Sequence, residues 1–160
     1  MLIELQLLLL TTVANGAPAI VRRLLGRRFA QPIDAGRHLG DGHPVLGPSK
    51  TWRGLAIAVI ATAALACLLD LPWEAGVFIG VGAMLGDALS SFVKRRLRIP
   101  PKGQAPLLDQ VPESLLPLLA VQPMLDLSWQ SIVAVVSAFV VIHLILSPLL
   151  FRLHIRDRPY

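Results

Sequence analysis

Cysteine occurs once in this chain, at Cys67, inside an apolar stretch. A lone thiol closes no disulfide and thiolate metal sites need several, so neither is available to this chain. Lysine and arginine are missing from most of the sequence: all fifteen fall within residues 22–53, 94–102 and 152–158. The long apolar stretches between those blocks carry none. There is also no aromatic-interleaved basic patch and no known binding module, which sets nucleic acid aside as a partner despite a net charge of +5. A chain that is 54% hydrophobic, with mean hydropathy +0.65, and still net positive has the composition of an integral membrane protein.

A bilayer core about 30 Å thick takes roughly 20 helical residues to cross. The sequence therefore predicts an all-α integral membrane protein, a single membrane domain over residues 1–160, with spans near 1–21, 54–71, 75–93, 111–127 and 129–151. Loops at 22–53 and 94–110 connect them. Residues 54–93 are broken only by Asp70, Leu71, Pro72, Trp73 and Glu74, and read as a hairpin of two spans. Residues 111–151 repeat the pattern around Asp126, Leu127, Ser128 and Trp129. Each hairpin returns the chain to its starting side, so all three basic blocks share one side. Short loops rich in Lys and Arg stay in the cytoplasm, which puts the N-terminus outside and the C-terminus inside. Trp73 and Trp129 are then expected at the outer interface and Trp52 at the inner one. Ala17, Pro18 and Ala19 look like a signal-peptide cleavage site, but the preceding segment carries Glu4 and no positive charge, so a retained span is expected. On their own, the basic blocks need only set orientation and meet anionic lipid head groups.

Polar groups inside spans are the informative exceptions. Asn15, Gly16, Ala17 and Pro18 are expected to interrupt the first span near its cytoplasmic end, with Asn15 either bonded to a neighbouring helix or touching a ligand. Asp87 follows Gly80, Gly82 and Gly86, small residues that let neighbouring backbones approach. Asp87, Ser91 and Lys94 stand at i, i+4 and i+7 and share one helix face. A carboxylate at that depth needs a cation, either a metal ion or a lysine.

The first loop ends in Gly47, Pro48, Ser49, Lys50, Thr51, Trp52, Arg53 and Gly54. It resembles a P-loop but is not one: two residues separate Gly47 from Lys50 where the Walker pattern has none, and no strand precedes it. What remains is a glycine-rich basic loop entering a helix N-terminus, whose backbone amides are free to face a phosphate. In the second loop Pro100 and Pro101 forbid a continuing helix, and Asp109 stands where the chain re-enters the membrane. Asp109 is thus either a helix N-cap or a second carboxylate level with Asp87. Two carboxylates ringed by Lys and Arg suit a divalent cation bridging phosphates. Other readings of the same features are a small channel or transporter lined by Asp87 and Asn15, and a silent scaffold binding anionic lipids.

The strings GPSKTWRG at 47–54, GDALSSFVKRR at 86–96 and LLDQ at 107–110, with the Asn15 to Pro18 stretch, resemble the CDP-archaeol synthase family, a distant relative of the phosphatidate cytidylyltransferases. The resemblance implies a Mg²⁺-dependent nucleotidyltransferase, in which CTP and a membrane lipid phosphate give CDP-lipid and pyrophosphate. It implies Asp87, Lys94 and Asp109 as catalytic residues, with Asp87 and Asp109 as metal ligands. It also implies Lys50, Thr51, Arg53, Arg95 and Arg96 as phosphate contacts, joined by Ser91 and Asn15. One position departs from the family pattern, which has a second Asp three residues after Asp109. This chain has Pro112 there, which cannot ligate a metal, and Glu113 one residue further on is the candidate replacement. The DGxxAR and GxxxDxxxD pattern of CDP-alcohol phosphotransferases is absent. Ether-linked and ester-linked lipid chains are not distinguished by any of these residues.

Overall fold

A computed structural model describes residues 2–99, 103, 105 and 107–152. Five helices follow one another: α1 (Leu2–Leu25), α2 (Trp52–Leu68), α3 (Trp73–Arg96), α4 (Gln110–Leu125) and α5 (Trp129–Arg152). Among the described residues the extended pairings are two isolated bridges, Pro32 with Thr51 and His38 with Pro44. The paired prolines of the second loop, Lys102, Arg156 and Arg158 lie outside the described residues.

The two Asp-Leu-x-Trp turns fold alike. Asp70 (φ 56°) and Asp126 (φ 48°) take the left-handed conformation. The next residue then bonds back five positions, Leu71 to the Ala66 carbonyl at 2.9 Å and Leu127 to the Gln122 carbonyl at 3.2 Å. This Schellman geometry satisfies the last carbonyls of one helix and turns the chain directly into the next, which opens on Trp73 or Trp129. The end of α3 uses the same device with Arg98 (φ 58°) as the left-handed residue and Ile99 bonding the Lys94 carbonyl at 2.9 Å.

Helix α3 lies at the centre, packed against both α2 and α4. Four glycines make this approach possible. A Cβ on Gly76 would stand 2.4 Å from the Thr62 carbonyl oxygen, and one on Gly80 would stand 2.8 Å from Val59 Cα, so these two admit α2. A Cβ on Gly82 would stand 2.6 Å from Pro117 Cα, and one on Gly86 would stand 2.1 Å from the Pro112 carbonyl oxygen, so those two admit α4. Each pair is spaced i, i+4, the small-residue spacing that lets helix backbones touch within a membrane. Ser90 donates to the Leu108 carbonyl at 2.7 Å and ties the segment entering α4 to α3. The core between the helices is built from Leu7, Leu10, Ile79, Leu118, Val121, Ile132 and Val135, while Ile60, Leu85, Val133 and Ile145 face outward. Among the described residues, α1 and α3 are long and apolar enough to cross a bilayer.

Several expected boundaries shift. The first helix is not interrupted at Asn15 to Pro18; it continues to Leu25 and ends at Gly26 (φ 55°). The helix passes through Pro18 unbroken, and the Asn15 side chain donates back to the Thr11 carbonyl of its own helix at 3.0 Å rather than to another helix. The third helix runs a turn beyond residue 93, so Lys94, Arg95 and Arg96 belong to its last turn instead of to a loop, where cations also face the helix's negative end.

Candidate active site

The C-terminal ends of α1 and α3 and the N-terminal ends of α2 and α4 converge on a cavity of about 560 Å³. Five elements supply its polar wall. Helix α1 brings Asn15 and Arg22, the first loop and α2 bring Lys50, Thr51 and Arg53, α3 brings Asp87 and Lys94, and α4 brings Asp109 and Glu113. The first and second basic blocks therefore meet at one site.

Two lysine–carboxylate pairs organise it. Lys50, from the loop, is ion-paired with Asp87 on α3, and Lys94 on α3 is ion-paired with Asp109 at 2.6 Å. Lys94 also donates to the Gly103 carbonyl at 3.4 Å. Asp109 occupies the N-cap position of α4 but its side chain makes no capping bond there. It accepts instead from the Ala105 amide at 3.4 Å, so its carboxylate serves the cavity and the loop rather than the helix. Glu113, one turn into α4, brings its carboxyl within hydrogen-bond reach of Asp87. Pro112 packs against Gly86, and this close contact sets Glu113 beside Asp87. Two carboxyl groups in contact repel unless a proton or cation lies between them.

Three carboxylates from two helices are the hard-oxygen donors that Mg²⁺ takes. Among the described residues no three acidic, histidine or cysteine side chains stand in a ready-made cage. Magnesium usually takes one or two carboxylates and completes its shell with water and substrate phosphate. Asp87 and Glu113, with Asp109 nearby, are the residues of this chain that fit the ion.

The rest of the expected phosphate-binding set divides. Thr51 lines the cavity and its hydroxyl accepts from the Gly54 amide at 3.1 Å, capping α2 and aiming that helix's N-terminus at the site. Arg53 lines it too, but its guanidinium donates to the Arg28 and Gly26 carbonyls, clamping the end of α1. Ser91, Arg95 and Arg96 do not line the cavity. Ser91 is buried against the helices although it shares a nominal face with Asp87. Arg95 is buried and donates to the Ile99 carbonyl. Arg96 is paired with Asp41, donates to the Pro44 carbonyl at 2.8 Å and lies 5.3 Å from the Phe92 ring, so it staples the first loop to α3.

The glycine-rich loop also uses its amides differently from the expectation. Gly36 (3.0 Å), Leu46 (2.9 Å) and Gly47 (2.9 Å) donate to the Asp34 carboxylate, so an internal anion takes the amides that a phosphate was expected to occupy. Burial pushes the Asp34 carboxyl up, but those amides outweigh it and hold the group below its ordinary value. A depressed folded value means the stabilisation is complete above the unfolded carboxyl value of about 3.9 and is lost as pH falls through the folded one. Pepsin cleavage within residues 26–51 is thus expected to accelerate as pH drops below about 4, whereas Asp34→Ala is cleaved fast throughout. Parallel cleavage rates in the two proteins across that range would show that Asp34 does not hold the loop.

Arg22 and Arg27 complete the cationic lining and were not singled out from the sequence. The signal was present for Arg22: Asn15, Pro18, Ala19 and Arg22 stand at i, i+3, i+4 and i+7, one helical stripe, and all four line the cavity. His143 reaches it from α5, where its ring lies 4.3 Å from that of Phe139.

The sequence and fold match characterised groups of proteins. A family profile described as CarS-like, CDP-archaeol synthase, matches residues 72–160, more than half of the chain. A CDP-archaeol synthase of Hyperthermus butylicus is 44% identical over 104 residues, 61% of this chain and 59% of the relative. The match thus spans about three-fifths of that relative's length. A CDP-archaeol synthase of Thermofilum pendens is 32% identical across 92% of this chain and 76% of its own length. A solved structure of an intramembrane enzyme for archaeal membrane lipid biosynthesis superposes with TM-score 0.74 at 34% identity, covering 87% of this chain and 89% of that one. Taken with the five-helix fold, these matches show that the chain belongs to the CDP-archaeol synthase family.

Proposed function

We propose that the protein is a Mg²⁺-dependent cytidylyltransferase that joins the CMP part of CTP to a membrane lipid phosphate and releases pyrophosphate. The acceptor proposed is the archaeal ether-lipid phosphate after whose product the relatives are named, with an ester-linked phosphatidate as the nearest competitor. One observation carries the reading: three carboxylates from α3 and α4 face lysines from the first loop and α3 across a cavity at the helix ends.

In the reaction an oxygen of the lipid phosphate attacks the α-phosphorus of CTP, the α–β phosphoanhydride bond breaks, and pyrophosphate leaves with its electrons. Lys50 and Lys94 are placed to hold the nucleotide phosphates and to neutralise charge on the departing group. The capped N-terminus of α2 adds backbone amides and its dipole to the same task. Asp87, Glu113 and Asp109 would hold Mg²⁺, which would supply positive charge to offset the charge developing on the phosphates. Arg53, Arg95 and Arg96 keep the loops in place so that Lys50 reaches Asp87.

The five helices are proposed to cross the membrane with the cavity on the cytoplasmic side and the N-terminus outside, which is supported by the meeting of two basic blocks at that end. Trp73 and Trp129, both well exposed and both opening helices at the other end, support an outer aromatic belt. Purified protein with Mg²⁺, labelled CTP and archaeal ether-lipid phosphate is expected to give CDP-lipid and pyrophosphate in equal amounts. Absence of both products with the ether lipid and with phosphatidate would refute the activity.

A further inference from the structure

The cations lining the cavity are not equally engaged. Lys50 and Lys94 are paired with carboxylates, and Arg53 is spent on backbone carbonyls. Among the described residues, Arg22 and Arg27 have no hydrogen-bond or ion-pair partner for their guanidinium groups, although both line the cavity. Neither comes from the helices that carry the carboxylates: Arg22 is in the last turn of α1 and Arg27 follows just beyond it. Exposed apolar side chains stand beside them, together with the exposed Arg23 and Arg28. Ile20 is 61% exposed, Leu24 77% and Phe29 78%, so the two arginines stand at a boundary between an oily face and the polar cavity.

We infer that Arg22 and Arg27 receive the phosphate of the acceptor lipid, while CTP is held by Lys50, Lys94 and the carboxylates. This rests on the cytidylyltransferase reading and assigns the two substrates to different walls of the one cavity. The chemistry favours the lipid for this wall. A phosphate monoester tethered to long apolar chains must present its head group beside an apolar surface, which the exposed side chains of α1 provide. A soluble nucleotide has no such requirement and gains nothing from Ile20, Leu24 or Phe29. Two guanidinium forks also match the charge and geometry of a dianionic monoester better than point-charge ammoniums do. Arg23, adjacent in sequence and also exposed, does not line the cavity and serves as the internal control.

Arg22→Gln and Arg27→Gln are expected each to raise KM for the lipid phosphate about tenfold or more, the size of one lost charge-assisted contact, while Mg²⁺·CTP binding measured by calorimetry stays unchanged. Arg22→Lys restores part of the loss, and Arg23→Gln changes neither constant. Direct binding of the lipid phosphate, against the neutral lipid with the same chains, is measured in parallel by native mass spectrometry without turnover. Loss of lipid-phosphate binding in the two Gln variants supports the assignment even if wild-type protein makes no CDP-lipid, a result that would count against the reaction alone. Weakened CTP binding with normal lipid-phosphate binding overturns the assignment. Unchanged lipid-phosphate binding in both variants overturns it as well and leaves the arginines as orientation signals.

Discussion

Asp87→Asn is expected to lower CDP-lipid formation by more than about a hundredfold while the protein stays folded. The Lys50–Asp87 pair is mostly shielded from solvent, with side-chain exposures of 15% and 25%, and removing one partner of a fully buried pair costs about 3–5 kcal/mol, so the test uses Asn, which keeps the shape and an acceptor. The amide oxygen of Asn still accepts from Lys50, which holds the loop near its place. What the substitution removes is the negative charge beside Glu113 on which the proposed Mg²⁺ site depends. Loss of an outer partner of a metal ligand typically costs about 10–100-fold, and loss of the ligand itself is expected to exceed this. The pair of readouts decides the matter. A melting temperature close to wild type with turnover abolished assigns Asp87 to chemistry, whereas full turnover would make the Lys50–Asp87 pair a structural tie only.

Gly86→Ala is expected to give the largest loss of stability. The new Cβ would lie 2.1 Å from the Pro112 carbonyl oxygen and 2.7 Å from the Glu113 amide nitrogen, and both are backbone atoms with no rotamer to change. Helices α3 and α4 must part, and overpacking of this kind costs about 1–3 kcal/mol or more. Activity should fall further than stability, because Gly86 neighbours Asp87 in sequence and Pro112 neighbours Glu113. Parting the helices separates the two carboxyls. Gly16→Ala is the matched control: a Cβ there meets nothing within 4 Å, and replacing a helical glycine by alanine is expected to stabilise by about 0.5–1 kcal/mol. A Gly86→Ala protein that melts and turns over like wild type would show that the close α3–α4 contact does not set the site.

The resemblance singled out GPSKTWRG and GDALSSFVKRR, and both strings contribute residues to the cavity. It did not sort the residues within those strings. Lys94, Arg95 and Arg96 are consecutive cations at the end of one helix, and a helix turns 100° per residue, so each faces a different neighbour. Lys94 reaches Asp109, Arg95 turns inward to the Ile99 carbonyl, and Arg96 reaches Asp41 across the first loop. Likewise Asp34 read as one acidic residue in a glycine-rich loop, yet its carboxylate takes three amides that the loop's composition offered to any anion. A loop's internal hydrogen bonds depend on its closed path, which residue spacing does not encode.

Helix existence, the two Asp-Leu-x-Trp turns, the i, i+4 glycine pairs and the clustering of charge were legible in the chain because each depends on neighbours within a turn or two. The α1 stripe from Asn15 to Arg22 belongs with them, since a single helix carries it. The joining of Glu113 to Asp87, the addition of Arg27 to the cavity wall, and the diversion of Arg96 to Asp41 arise between elements far apart in sequence. Those depend on how closely and at what rotation the helices pack, which is set where Gly86 meets Pro112 and Gly82 meets Pro117. Local periodicity fixes which residues share a face of one helix; the contact of backbone on backbone fixes which faces meet.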